Sequence, residues 1–152
     1  MNNKIMLGIG AFVLVLVLVF VFGNGSTTGN AVDGASETIE ELDAIKIPVS
    51  ELSNKAQFYN HEGVEYFAVK TESGAVKTAF NACDVCYKSR KGYKQVGEDM
   101  VCNNCGNHYT ISGIGTKNLK GGGCWPGYLP STTEGDYLVI KKSDLESGRY
   151  RF

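Results

Sequence analysis

Val64-Glu65-Tyr66-Phe67-Ala68-Val69-Lys70 is the stretch on which the fold class turns. It is rich in β-branched and aromatic residues, the types that favour strands. Side chains alternate between faces along a strand, and here both faces receive apolar groups. A strand buried on both faces belongs to a sandwich or small barrel rather than an open sheet. Upstream, Asn60-His61-Glu62-Gly63 has the composition of a hairpin turn, which predicts a partner strand over residues 56–59. Before it, Ser50-Glu51-Leu52 reads as a turn and residues 45–49 as a first strand. Downstream, Thr71-Glu72-Ser73-Gly74 turns the chain again and residues 75–80 return. The expected result is an antiparallel meander.

Strand-like sequence resumes at residues 137–140 and ends with residues 150–152. Ile47-Pro48-Val49-Ser50-Glu51-Leu52 is echoed by Ile140-Lys141-Lys142-Ser143-Asp144-Leu145. Each reads as a strand followed by a turn opened by serine. The echo predicts that the two segments lie side by side and close the β unit from its two ends.

The N-terminal region has a different character. Ile5 through Phe22 is 18 residues without a charge or strong polar group. As a helix it would be about 27 Å long, close to the hydrocarbon thickness of a bilayer. A cleaved signal peptide has a shorter apolar core and a small-residue cleavage site, so an uncleaved anchor is expected. Lys4 precedes the run, and Asp33, Glu37, Glu40, Glu41 and Asp43 all come before Lys46. The positive-inside rule then places the N-terminus in the cytoplasm and the rest outside. The expected domains are an anchor over 1–22, a flexible linker over 23–43 rich in small polar residues, and a folded unit over 44–152. The fold expected for that unit is mainly β, a small antiparallel sandwich or barrel carrying a cysteine-rich metal-binding loop subdomain. The net charge of −1 gives no reason to expect a nucleic-acid partner.

The loop subdomain runs from Cys83 to Pro130. Its apolar runs are too short for a core of its own, so it needs a metal or a cross-link. Cys83, Cys86, Cys102 and Cys105 form C-x2-C-x15-C-x2-C, the spacing of a four-thiolate metal site. Each C-x-x-C can curl so that both sulfurs face one point while backbone N–H groups aim at them, and two such turns give a tetrahedral shell. Gly106 permits a positive φ after the second pair; the first pair lacks such a glycine. Disulfides are the alternative outside the cell, but five cysteines leave one over, and C-x-x-C disulfides close loops too small to stabilise much.

Cys124 sits in Gly121-Gly122-Gly123-Cys124-Trp125-Pro126, a third loop beside the centre, where the cysteine is a ligand or packs against the site. Trp125 would shield the metal from water or serve as a core aromatic. The lysine and helix of a phosphate-binding loop are missing. Lys88, Arg90, Lys91 and Lys94 would offset thiolate charge or simply face solvent. His108 could be a ligand or a donor to one, and His61 falls in a turn. No hydrolytic nucleophile with its base is visible.

Residues Ala79-Phe80-Asn81-Ala82-Cys83-Asp84-Val85-Cys86-Tyr87, Gly92-Tyr93, Met100-Val101-Cys102-Asn103-Asn104-Cys105-Gly106, Gly122-Gly123-Cys124, Pro126 and Asp144-Leu145 resemble the FtrD-like family of membrane iron–sulfur proteins. The resemblance spans about residues 45–152. It implies an iron–sulfur centre, electron transfer at a membrane, and a redox or iron-transport protein as partner. A looser similarity to Rieske domains implies a meander, two cluster loops, a proline loop and closing strands, with Cys86 and Cys105 where histidines would stand. The thiolates alone also suit zinc or mononuclear iron. Three functions remain open at this point. They are an electron carrier, a structural zinc domain, and a thiol- or metal-transfer protein using Cys124.

Overall fold

A computed structural model describes residues 43–119 and 123–152. The expected anchor, the linker through residue 42, and Gly121 and Gly122 lie outside the described residues. Among the described residues, no helix is long and apolar enough to cross a membrane.

The fold is mainly β and antiparallel. Its strands are β1 (Ala44–Pro48), β2 (Gln57–His61), β3 (Val64–Lys70), β4 (Val76–Cys83), β5 (Tyr93–Val96), β6 (Asp99–Cys102), β7 (His108–Thr110), β8 (Pro126–Tyr128), β9 (Thr132–Glu134) and β10 (Tyr137–Lys141). The α-helix α1 (Lys142–Ser147) follows β10. The strands form three sheets, in the orders β1-β10-β9, β2-β3-β4-β8 and β5-β6-β7.

The alternation along β3 explains how the layers stack. Val64, Tyr66 and Ala68 point to one face and join Ile47, Leu138, Ile140, Phe80 and Leu145 in one core. Phe67 and Val69 point the other way and join Ala79, Tyr93, Met100, Ile111 and Ile114 in a second. The four-stranded sheet is therefore the middle layer, covered by the β1-β10-β9 sheet on one face and the β5-β6-β7 sheet on the other. Each large apolar side chain buried this way stabilises the fold by about 1.5–3 kcal/mol.

The meander forms as its turns predict. Glu62 and Gly63 both take positive φ, 50° and 87°, as a two-residue hairpin turn requires. β1 pairs with β10 in register, Ile45 opposite Ile140 and Ile47 opposite Leu138, so the two echoing segments are neighbours. Two expectations change. Residues 149–151 form a 3-10 turn instead of a strand. The cysteine-rich stretch also contributes a sheet; having no core of its own, it shares the one behind β3 and β4.

Candidate metal centre

Three loops converge at one end of the second core. Cys83 ends β4, and Cys86 lies in the turn that follows. Cys102 ends β6, with Cys105 in the turn toward β7. Cys124 stands two residues before β8, whose Pro126 pairs with Cys83. Backbone hydrogen bonds tie the loops together: Asp84 N–H donates to the Trp125 carbonyl at 3.0 Å, and Asn103 N–H to the Gly92 carbonyl at 3.0 Å.

Local chemistry sets each turn. In the first, the N–H groups of Val85 and Cys86 donate to the Cys83 sulfur at 3.2 and 2.5 Å. These donors favour a thiolate there. The glycine missing from this turn is replaced further on by Arg90, which takes φ 53° and caps a 3-10 turn over Tyr87–Ser89. In the second turn Gly106 has φ 75°, as its position predicts, and donates to the Cys102 carbonyl at 2.9 Å.

The sulfurs of Cys83, Cys86, Cys102 and Cys124 all lie within 4.8 Å of one another. Cys86 and Cys124 are the near pair, at 2.8 Å. Cys105 is exposed and outside that mutual group, yet near enough to Cys124 for the two thiols to affect each other's protonation. The Cys124 thiol is pushed strongly up by its interactions with Cys105 and Cys86 and by burial. The same interactions hold Cys86 and Cys105 below the ordinary thiol range. Burial raises Cys83.

Several further residues support the loops. The Tyr93 hydroxyl donates to the Cys124 carbonyl, and burial together with the neighbouring thiols pushes its pKa far up. Asn81 accepts from Tyr93 N–H at 2.8 Å and donates to Glu65 at 2.9 Å. Arg151, with 12% of its side chain exposed, pairs with Asp84 of the first turn at 2.8 Å. It also lines a cavity of about 160 Å³ whose walls include Cys83, Cys86 and Cys102. Asn81 and Tyr93 fall inside the family-like stretch, whereas nothing in the sequence singles out Arg151. Trp125 packs edge-on against Tyr109 at 4.9 Å, and its buried indole N–H has no partner. His108 is exposed and bound to Asp99 at 3.0 Å, away from the sulfurs.

The donor set suits a metal. Four thiolates about 2.3 Å from one tetrahedral ion stand about 3.8 Å apart; sulfurs gathered within 4.8 Å suit that with small shifts, and a cluster of several irons with bridging sulfide would need them to spread apart. Soft thiolates select iron–sulfur, zinc or similar centres over hard cations.

No curated protein matches the chain. Among solved structures, the quaternary ammonium Rieske monooxygenase CntA, in complex with an inhibitor, is 12% identical with a TM-score of 0.47. The match covers 71% of this chain, which spans only 35% of that one. The ferredoxin of carbazole 1,9a-dioxygenase from Nocardioides aromaticivorans IC177 is 13% identical with a TM-score of 0.43, covering 64% of this chain and 96% of its own. The family described as "Membrane iron-sulfur containing protein FtrD-like" matches residues 47–152, which include all three cysteine loops. The chain therefore belongs to the FtrD-like family of membrane iron–sulfur containing proteins, and its cofactor is iron–sulfur.

Proposed function

We propose that the protein is a membrane-tethered electron carrier. The convergence of four cysteine sulfurs from three loops carries this reading. An iron–sulfur group bound there supplies reversible one-electron chemistry. The chain supplies the rest: thiolates to hold the group, N–H donors that favour their charged form, the Arg151 charge nearby, and aromatic packing that limits water.

Cys83, Cys86 and Cys102 are ligands in this proposal. Cys124 is the fourth, because its sulfur is buried within reach of the other three. Cys105, the fourth thiol of the sequence spacing, then stands beside the centre as an exposed neighbour. Residues 5–22 anchor the domain with its N-terminus in the cytoplasm, and the folded unit works outside, passing electrons to or from a membrane redox or iron-transport protein.

Anaerobic purification of the full chain tests both parts. Visible bands that bleach with dithionite, with iron and acid-labile sulfide in the same preparation, are the expected result; a colourless zinc-loaded protein would refute it. Cys124→Ser is expected to lose the iron and Cys105→Ser to keep it. The opposite pattern returns the fourth position to Cys105.

A further inference from the structure

From Val85 to Gly97 the chain carries Lys88, Arg90, Lys91 and Lys94 and no acid, although the whole protein has a net charge of −1. All four are exposed, and among the described residues no ion pair engages any of them. Asp84, the acid nearest this run, is already neutralised by Arg151. Arg90 and Lys91 also line the cavity that reaches Cys83, Cys86 and Cys102.

Apolar side chains stand in water beside the first metal loop. Val85, at the tip of the first metal loop, is 60% exposed and Tyr150 is 64% exposed. Tyr87 packs edge-on against Tyr150 at 5.8 Å, which joins the two. Unburied large side chains rimmed by polar groups mark interaction sites. Counter-charge for the thiolates does not account for the lysines. Charges that face solvent are screened within about 10 Å at ordinary salt.

We propose that this face docks an acidic redox protein, whose carboxylates meet the lysines while Val85 and Tyr150 pack at the contact. The proposal rests on the electron-carrier reading and names the chemistry of the partner. A lipid surface is the rival occupant. It is disfavoured because Arg90 and Lys91 rim the cavity that reaches the sulfurs, and lipid there would cover the electron's exit without accepting it.

Plastocyanin, an acidic copper protein, is a suitable probe. The full chain in nanodiscs of neutral lipid is reduced and mixed with the oxidised probe; one electron leaves the centre and copper(II) becomes copper(I). The rate is expected to fall about tenfold from low to high salt. Lys88→Glu/Lys91→Glu/Lys94→Glu is expected to slow it by a similar factor at low salt, with iron content and visible spectrum unchanged. The same variant should react faster with hexaammineruthenium(III), a small cation. Arg90 is left intact because it caps the 3-10 turn of the first metal loop. Rates indifferent to salt and to charge reversal would overturn the docking surface while leaving the carrier standing. Binding to phosphatidylglycerol vesicles that the variant loses, with the plastocyanin rate unmoved, would assign the patch to lipid instead. A chain with no reducible centre would overturn both readings.

Discussion

Gly148 shows how little room single side chains have. A Cβ there would lie 2.1 Å from the Phe80 ring, and Phe80 is 2% exposed in the core that joins two sheets. Gly148→Ala should destabilise the fold by about 1–3 kcal/mol or more, read as a lower urea midpoint with an unchanged slope. Gly92 is tight for a different reason. It has φ 60°, and a Cβ would meet the Asn81 side chain at 2.6 Å, the same group that accepts from Tyr93 N–H. Gly92→Ala is expected to loosen the first metal loop and lower the iron retained on dialysis. Tyr66 makes a third prediction. Burial, with Tyr59 beside it, raises its phenol from 10.0 to about 12. The neutral form is the one the fold favours, so this stabilisation is complete below pH 10 and is lost as pH rises through 12. Thermal melts between pH 9 and 12, with phenolate absorbance followed in parallel, measure it.

Among elements, legibility followed length and pattern. The seven residues of β3 announced themselves because both faces were apolar, and the serine echo located the pairing of β1 with β10. The β5-β6-β7 sheet escaped because its strands have only three or four residues and borrow their core from Phe67 and Val69. Residues 150–152 misled because aromatic composition favours strands, whereas Tyr150 and Phe152 pack from a 3-10 turn against Tyr87 and Phe80. The C-x-x-C spacing placed two turns at the centre, but spacing alone could not tell that Cys124 sits closer than Cys105. The pairing of Pro126 with Cys83 decides that, and such a contact is nonlocal. Deleting β1 uncovers β10 and removes Ile47, which is 5% exposed. A chain shortened to begin at Val49 should melt well below one beginning at Asp43, as circular dichroism would record.

At the scale of the molecule, the middle sheet separates two cores with different dependencies. One joins β1 and β10 to the meander through aliphatic and aromatic contact and contains no cysteine. The other includes Cys83, Cys102 and Cys124, so its order is linked to whatever holds those sulfurs. Binding energy at such a site is also folding energy. Removing iron with a chelator under reducing conditions should therefore raise hydrogen exchange in β5, β6 and β7 far more than in β1 and β10. Equal loss of protection everywhere would show that the two cores unfold as one.

The ladder between the first and last strands has a mechanical meaning. Any tension reaching the domain from the chain before residue 44 falls first on β1, whose five paired positions along β10 bear it together. The sulfur-bearing loops hang from β4, β6 and β8, none of which pairs with β1. A pull transmitted through the residues before β1 would thus strain the rim of the domain before it disturbed the sulfur-bearing loops.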